Sequence, residues 1–236
     1  MTLPVVILAG GLATRLGPIT KAMPKSLIEV AGEPFIFHQL KYLRTQGIKK
    51  IILCVGHLGE MIQQKVGDGK QFKIDISYSF DGSPLLGTGG AIKKAVSMLE
   101  DAFFVLYGDS YLPIDFKRVE EHFYSSSKSG LMTIFQNFNQ LDRSNVSYAD
   151  GNLIEYCKDF PSPSMSYIDY GLGILRKKLF TNYSRDQRFD LSEVYHVLSK
   201  EGDLEGFVVE RRFYEIGSHQ GLQETNQFLL KQGNIQ

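Results

Sequence analysis

The chain has 236 residues, a length that suits one α/β domain and is too short for two domains of full size. Lysine and arginine together number 26, as do aspartate and glutamate, so the formal net charge is +0. This balance argues against a protein that binds nucleic acid or a membrane surface, because both functions need a large positive field. A local basic site for one small phosphate ligand is compatible with it.

Cysteine and histidine usage gives no sign of a zinc site. The two cysteines, Cys54 and Cys157, are isolated from each other in the sequence, and the five histidines show no metal-ligand spacing. The sequence shows neither a signal peptide nor an apolar run long enough to span a bilayer. We therefore expect a cytoplasmic protein.

Predicted strands and helices alternate through the first half of the chain. Short apolar runs that end at glycine or aspartate predict strands, and apolar residues at helical spacing predict the helices between them. In chain order these are a strand at Val5–Leu8, a helix after Pro34, a strand at Ile51–Val55, a helix at Leu58–Val66, a strand at Ile74–Phe80, a helix at Ala91–Leu99, a strand at Phe103–Tyr107, a helix at Phe116–Tyr124 and a strand at Leu131–Phe135. The alternation predicts an α/β fold with a Rossmann-like, doubly wound sheet, and loops that carry chemistry at the carboxyl ends of its strands.

The second half differs in character. A hairpin is predicted from Val146–Tyr148 and Leu153–Tyr156 around the turn Asp150-Gly151-Asn152, followed by a strand at Tyr167–Leu175. Helical segments are predicted near residues 190–199 and 221–230. Without a linker or an internal repeat, the chain is expected to form one domain over residues 1–236, with a mixed sheet that becomes more antiparallel in this half.

The segment from Leu8 to Lys25 combines glycines with cations. The pair Gly10-Gly11 lets the backbone approach an anion closely, and successive N–H groups can form an anion-binding nest. Arg15 offers a planar fork of donors, Thr14 a hydroxyl and Lys25 a point charge. The glycines alone are equally typical of an ordinary strand-to-helix turn. The cations at this spacing favour a phosphate site.

Two common phosphate-binding loops do not fit the sequence. The chain has no Gly-x-x-x-x-Gly-Lys-Ser/Thr motif, which disfavours a P-loop kinase or ATPase. The run Gly87-Thr88-Gly89-Gly90 falls short of Gly-x-Gly-x-x-Gly, because Ile92 occupies the last position. A dinucleotide-binding protein is therefore disfavoured too.

The run from Leu8 to Lys25 resembles the signature of the sugar-phosphate nucleotidyltransferases, Leu-Ala-Gly-Gly-x-Gly-Thr-Arg-Leu followed by Pro-Lys, with Ala13 in place of the third glycine. The subgroup most similar to the chain contains bacterial heptose-1-phosphate and mannose-1-phosphate guanylyltransferases and N-acetylmuramate-1-phosphate uridylyltransferases. The resemblance implies the nucleotide-diphospho-sugar transferase fold. It places nucleotide binding in about residues 1–112 and sugar binding in about residues 113–236.

The resemblance also assigns the nucleotide side of the site. Arg15 and Lys25 are expected to be catalytic, by holding the departing pyrophosphate. The residues expected to bind nucleotide are Leu8, Ala9, Gly10, Gly11, Thr14, Gly87, Thr88 and Gly89. The glycines at 87–90 are also explained by a helix N-terminus that needs glycine for packing alone. Asp81-Gly82 is interpreted as a turn and nothing more.

Two carboxylates are expected to bind Mg²⁺, a hard ion that prefers carboxylate and phosphate oxygens. Asp109 follows a buried strand, which places it at the carboxyl edge of the sheet. Glu215 resembles the aspartate of the family element Asp-Ile-Gly-Thr-Pro, although glutamate replaces aspartate and Ser218-His219 replaces Thr-Pro. The alternatives are a turn or capping role for Asp109 and a solvated surface charge for Glu215.

The sugar side departs further from the family pattern. Tyr156-Cys157-Lys158 stands in place of a Glu-Lys element, and Tyr167–Gly171 in place of an Asn-x-Gly element. By resemblance Lys158 contacts the phosphate of the sugar, Asp169 accepts hydrogen bonds from its hydroxyls, and Gly171 lets the chain pass close to the ring. Lys158 is also typical of a solvated lysine on an edge strand.

The function expected from this resemblance is the transfer of a nucleotidyl group from a nucleoside triphosphate to a sugar 1-phosphate, with GTP and a heptose or mannose 1-phosphate as the first choice. A UTP- or CTP-dependent enzyme acting on a sugar phosphate or an alcohol phosphate is one alternative. A non-catalytic regulatory subunit that binds nucleotide-sugar is another. The expected role is in polysaccharide or cell-envelope synthesis, without nucleic-acid or membrane partners, and a homodimer is the expected assembly if the chain self-associates.

Overall fold

The computed structural model describes residues 2–11 and 22–233. Within these residues the helices are α1 (Phe35–Thr45), α2 (Gly59–Val66), α3 (Gly87–Ala95), α4 (Phe116–Ser125), α5 (Leu191–Lys200) and α6 (His219–Gly233). The strands are β1 (Val5–Leu8), β2 (Glu29–Val30), β3 (Glu33–Pro34), β4 (Lys50–Val55), β5 (Asp75–Phe80), β6 (Ala102–Tyr107), β7 (Ser110–Tyr111), β8 (Gly130–Gln136), β9 (Val146–Ala149), β10 (Asn152–Tyr156), β11 (Tyr167–Arg176), β12 (Leu204–Val209) and β13 (Tyr214–Glu215). In this part of the chain no helix is both long and apolar enough to cross a membrane.

One mixed sheet organises the described residues. Its strands run in the order β10-β9-β11-β6-β1-β4-β5, with β8 beside β11 and β12 beside β8. The neighbours β6, β1, β4 and β5 are parallel, whereas β11 is antiparallel to β6 and to β8. The predicted α/β fold is therefore confirmed, including the more antiparallel arrangement of the second half.

Both faces of the sheet are covered, which explains why the central strands are apolar without alternation. Along β1, Val5 and Ile7 pack with α1, α2 and α4, while Val6 packs on the opposite face with α3 and α5. All three side chains are fully buried. Burying an aliphatic side chain of this size stabilises the fold by roughly 1.5–3 kcal/mol.

The parallel strands bring their carboxyl ends to one edge of the sheet. Main-chain hydrogen bonds tie the loops there together, from Ala9 N to Cys54 O at 2.8 Å and from Gly108 N to Leu8 O at 3.0 Å. A third joins Asp81 N to Val55 O at 2.9 Å. The predicted placement of the loops after β1, β4, β5 and β6 at a common edge is confirmed.

The second half contains two strands that the sequence analysis missed, β12 and the short β13. The hairpin of β9 and β10 is present, with positive φ at Asp150 and Gly151 as a tight hairpin turn requires. The longer missed strand is β12, which pairs with β8 in parallel. Its apolar pattern is interrupted by Gly206, whose position is set by packing because a Cβ there would lie 2.9 Å from the Tyr148 ring.

Candidate active site

A pocket of about 480 Å³ opens at the edge where the parallel strands end. This volume is in the range of small-molecule sites. The loops after β1, β5 and β6 and the first turn of α3 form its walls. The sequence-predicted residues that line it are Leu8, Ala9, Gly10, Gly11, Lys25, Gly87, Thr88 and Asp109. Thr14 and the predicted catalytic Arg15 lie outside the described residues, so their roles stay predictions.

Lys25 and Asp109 form an ion pair at this pocket. Lys25 Nζ donates to Asp109 Oδ2 at 2.9 Å, and the two side chains are only 16% and 32% exposed. The turn that carries Asp109 is fixed by the buried Gln39 of α1, whose Nε2 donates to the carbonyls of Tyr107 (3.0 Å) and Ser110 (2.7 Å). A lysine ammonium has three donors, so Lys25 can bind phosphate oxygens after leaving Asp109 or while still beside it.

Glu215 lies next to this ion pair. The short strands β13 and β7 pair so that Glu215 is opposite Ser110, the residue after Asp109. Gly217 shows how close the charges are, because a Cβ on Gly217 would lie 2.7 Å from Glu215 Oε2, 3.3 Å from Lys25 Nζ and 3.4 Å from Asp109 Oδ2. Only glycine leaves this space between the three charged groups free.

The Glu215 carboxylate is also bonded to the start of α6. It accepts hydrogen bonds from the N–H groups of Gly217 and Ser218 and, at 2.5 Å, from Ser218 Oγ. It is therefore not the freely solvated charge of the alternative interpretation. Residues 2–11 and 22–233 contain no group of three or more His, Cys, Asp or Glu side chains arranged around one metal position. Two carboxylates still fit Mg²⁺, which usually takes one or two from the protein and completes its shell with phosphate and water.

Replacing Glu215 with alanine should destabilise the protein. The change leaves the Gly217 and Ser218 N–H groups without their acceptor, at a cost of about 1–3 kcal/mol. The melting temperature should fall by roughly 2–4 °C for each kcal/mol in a chain of this size. Thermal unfolding of Glu215→Ala beside Glu210→Ala, an exposed control, measures the effect. Equal melting temperatures would contradict the capping role.

The first turn of α3 is held by the segment before α5, and α3 begins at Gly87 rather than at the predicted Ala91. Phe189 O accepts the N–H groups of Gly89 at 3.1 Å and Gly90 at 3.3 Å, which fixes that turn. A Cβ on Gly89 would lie 2.3 Å from the Phe189 ring. Gly89 does not line the pocket, so packing explains this glycine.

Thr88 lines the pocket and also anchors α5, because its Oγ1 accepts the N–H of Leu191 at 2.8 Å. The hydroxyl keeps its own proton for a second partner. Contact between Thr88 and a nucleobase stays a prediction.

The predicted sugar-side residues lie outside the pocket lining, and Gly171 lies beside it. A Cβ on Gly171 would lie 3.6 Å from Ser110 Oγ and 3.7 Å from the ring of Tyr107, a residue that lines the pocket. Lys158 follows the end of β10 and its Nζ donates to Asp190 Oδ2 at 3.0 Å. Burial alone would raise the pKa of Asp190, but hydrogen bonds from Ser192 and Lys158 outweigh it and hold that pKa below its usual range.

Asp169 lies where the pairing of β11 with β8 is interrupted. Its Oδ1 accepts the N–H of Gly171 at 2.9 Å. Burial raises the pKa of Asp169 to about 6 against the opposing effects of that hydrogen bond and of Lys158. Burial raises the pKa of three neighbouring tyrosines well above the usual range, and the charge of Asp169 is the second cause. Their hydroxyls therefore stay protonated. The three tyrosines are Tyr107, Tyr156 and Tyr195.

The raised pKa of Asp169 predicts a pH-dependent contribution to stability. A folded-state pKa of about 6 against the ordinary value of 3.8 means that burial of the protonated form is favoured. This contribution is complete below about pH 4 and is lost as the pH rises through 6. The melting temperature of the wild type minus that of Asp169→Asn should therefore be a few degrees lower at pH 7 than at pH 4. Thermal melts at both pH values test this, with the exposed Asp159→Asn as the control. A constant difference between wild type and Asp169→Asn would contradict it.

Two charged residues of the pocket wall are among those that were not predicted as site residues. Asp81, interpreted from the sequence as part of a turn only, is 6% exposed and lines the pocket. Its signal was available, because Asp81 directly follows a predicted strand in the same way that Asp109 follows β6 closely. Arg188 also lines the pocket, from the segment before α5. No local signal marks Arg188, since its place depends on the docking of that segment against α3.

Comparisons with known proteins agree with this geometry. The family model described as Nucleotidyl transferase matches residues 4–232. A D-glycero-alpha-D-manno-heptose 1-phosphate guanylyltransferase from Campylobacter jejuni subsp. jejuni serotype O:2 is 29% identical over 90% of this chain and 93% of its own. A second protein of the same description, from Aneurinibacillus thermoaerophilus, is 31% identical over 90% of this chain and 92% of its own. The crystal structure of HddC from Yersinia pseudotuberculosis complexed with GMP-PN is 26% identical and has a TM-score of 0.79, over 96% of this chain and 99% of that one.

Proposed function

Because the chain belongs to the nucleotidyl transferase family, we propose that it transfers a guanylyl group from GTP to a heptose 1-phosphate and releases pyrophosphate. The observation that carries the proposal is the ion pair of Lys25 and Asp109 at a pocket whose lining includes several glycines. The relatives described as heptose 1-phosphate guanylyltransferases support the choice of substrates, since each is covered almost completely by this chain. Mannose 1-phosphate is the second candidate acceptor.

The proposed reaction needs no covalent enzyme intermediate. A sugar phosphate is largely dianionic near neutral pH, because the second pKa of a phosphate monoester is about 6. Its oxygen can form the new bond to the α-phosphorus while the bond to the β-phosphate oxygen breaks, and pyrophosphate leaves with that electron pair. The protein then has to align the two substrates and neutralise their charge.

The phosphate side and the sugar side of the site each have a proposed part in this alignment. The backbone at Gly10-Gly11 receives the phosphates, and no atom of the described residues lies within 4 Å of a Cβ built on Gly11. Lys25 exchanges Asp109 for the departing phosphates and stabilises the charge that develops on them. On the sugar side, Asp169 accepts hydrogen bonds from sugar hydroxyls, and Lys158 binds the sugar phosphate in exchange for Asp190.

Asp109 and Glu215 are the side chains proposed to hold Mg²⁺. When bound, the ion would neutralise phosphate charge and polarise the phosphorus centre. Activity should disappear in EDTA and return when Mg²⁺ is added in excess. The assay is pyrophosphate release. Ca²⁺ in place of Mg²⁺ serves as the control that tests whether any divalent cation of the same charge supports the reaction. Full activity in EDTA contradicts the proposed metal dependence.

A substrate matrix tests the proposed reaction directly. Pyrophosphate release is measured with GTP, UTP and CTP against heptose 1-phosphate, mannose 1-phosphate, glucose 1-phosphate and phosphocholine. We expect the highest turnover for GTP with heptose 1-phosphate. Release with phosphocholine alone would identify an alcohol-phosphate enzyme. Binding of a nucleotide without release in any combination would identify a regulatory subunit. A role in cell-envelope or polysaccharide synthesis, a cytoplasmic location and a homodimer stay predictions from the sequence.

A further inference from the structure

The Tyr195 hydroxyl is a polar group that none of the proposed steps uses. Tyr195 lies on α5 and its side chain is 3% exposed. Its Oη lies over β11, because a Cβ built on Gly173 would collide with it. Its ring packs edge to face on that of Tyr156, with centroids 5.9 Å apart, and Tyr156 N donates to Ser199 Oγ of α5 at 3.1 Å. The end of the Tyr195 side chain is thus fixed in the space that a side chain at position 173 would take.

An irregularity in β11 brings this hydroxyl near Asp169. Asp169 is opposite Ile134 of β8. Gly173, four positions later on β11, is opposite Met132, so the same stretch takes only two positions on β8. Two positions along a strand span about 7 Å, and residues opposite each other direct their side chains to the same face of the sheet. The Asp169 carboxylate and the Tyr195 hydroxyl therefore share one face.

The bulge between Asp169 and Gly173 is held by a buried hydroxyl of β8. Thr133 Oγ1 donates to Leu172 O at 2.6 Å and accepts the N–H of Leu172 at 3.3 Å. The N–H of Asp169 itself donates to Asn145 Oδ1 at 2.9 Å. Bulges beside active sites commonly re-aim a side chain. The backbone therefore sets the position of the Asp169 carboxylate.

Asp169 and Tyr195 do not bond to each other. Asp169 Oδ1 accepts the N–H of Gly171, and Oδ2 has no donor within the described residues. The charge of Asp169 raises the pKa of the Tyr195 hydroxyl, after the larger effect of burial, so the two groups are near. Within residues 2–11 and 22–233, the enclosed side-chain polar atoms without a partner are those of Ser26, Gln39 and Asp81. The Tyr195 hydroxyl is not among them and so keeps an opening to solvent.

Tyr107 connects these two groups to the pocket. It lines the pocket, and a Cβ on Gly171 would lie 3.7 Å from its ring. Burial raises the pKa of Tyr107, and Asp169 and Tyr195 are among the further causes. A sugar whose phosphate lies at the pocket therefore has these polar groups beside it.

We propose that Tyr195 and Asp169 together bind one hydroxyl of the acceptor sugar, and that Tyr195 thereby selects acceptors that carry this hydroxyl. The inference rests on the proposed function and deepens it. A hydroxyl is both a donor and an acceptor, so it donates to the Asp169 carboxylate while it accepts from the phenol. A deoxygenated position offers neither role. The quaternary ammonium of phosphocholine has no proton to donate and no lone pair to accept.

Tyr195→Phe removes the phenol proton and keeps the ring. Loss of one hydrogen bond between neutral groups should raise KM for heptose 1-phosphate by about 3- to 10-fold. KM for GTP and the melting temperature should not change, because the hydroxyl has no partner within the described residues. Tyr124→Phe, which removes an exposed hydroxyl on α4, is the matched control. An unchanged KM for heptose 1-phosphate means that the two groups hold only water, and it overturns the proposal.

Monodeoxy analogues of heptose 1-phosphate identify the hydroxyl. With wild-type protein, one analogue should lose more in kcat/KM than the others do. With Tyr195→Phe, the loss for that analogue should be smaller by about 3- to 10-fold, since the hydrogen bond is already missing. The losses for the other analogues should be the same in both proteins. Equal losses in both proteins for every analogue overturn the proposal.

Binding of GDP-heptose by titration calorimetry keeps the two proposals apart, because it needs no turnover. Tyr195→Phe should bind GDP-heptose about 3- to 10-fold more weakly than the wild type and bind GDP equally well. If this shift is found but no pyrophosphate is released with any acceptor, sugar recognition stands and the proposed transfer fails. If pyrophosphate is released and Tyr195→Phe has the same KM for heptose 1-phosphate, transfer stands and the role of Tyr195 is wrong.

Discussion

Turnover of the Lys25→Ala variant should be lower than that of the wild type by about 10²–10³-fold, the usual effect of removing one group that stabilises developing charge in an active site. Lys25 is 16% exposed and lies at the pocket, so its ammonium acts where little water screens it. The loss should appear mainly in kcat, because the departing phosphates gain charge as the bond breaks. Lys65→Ala, an exposed change on α2, should keep full activity.

The ion pair with Asp109 offers a different explanation for any effect of Lys25→Ala, namely that the lysine only neutralises the carboxylate. A titration of Mg²⁺ with the Lys25→Ala variant separates the two, since added cation can neutralise a free Asp109 carboxylate but does not replace the ammonium donor beside the departing phosphates. Turnover of the variant should stay low at every Mg²⁺ concentration. If excess Mg²⁺ restores turnover, Lys25 acts through Asp109 and has no direct part in the transfer.

Much of the nucleotide side of the site could be predicted because its signals are local. Val5–Leu8 is an unbroken apolar run, which is typical of a strand buried on both faces, and the residues that follow such a run fall at the carboxyl edge of the sheet. The same rule located Asp109. It applied equally to Asp81, where the interpretation as a turn ignored that the preceding strand is parallel to its neighbour and ends at the same edge of the sheet.

The rest of the site depends on contacts between segments distant in sequence. The docking of Phe189 against the first turn of α3 decides which glycines face the pocket, and no local pattern shows it. The same docking brings Arg188 to the pocket wall. The hydrogen bonds of Glu215 to Ser218 likewise follow from the turn before α6, where a glutamate reaches backbone groups two and three residues further on.

Asp109→Asn is the second change with a large expected effect. It removes one of the two carboxylates proposed for Mg²⁺ and frees Lys25 from its partner, so turnover should fall by about 10²–10⁴-fold, as expected for several kcal/mol of lost charge stabilisation. Initial rates are measured across a titration of Mg²⁺. Asp101→Asn, which alters a carboxylate that is 76% exposed, is the matched control.

The magnesium titration distinguishes two roles for Asp109. If its carboxylate binds the ion, the variant should need more Mg²⁺ to reach half of its maximal rate. If it serves only to hold Lys25 in place, the Mg²⁺ requirement should match that of the wild type and only the maximal rate should change. Because Gln39 fixes the turn through main-chain carbonyls, the asparagine should occupy the same position. A difference in Mg²⁺ requirement then reports on the lost charge and not on a displaced loop.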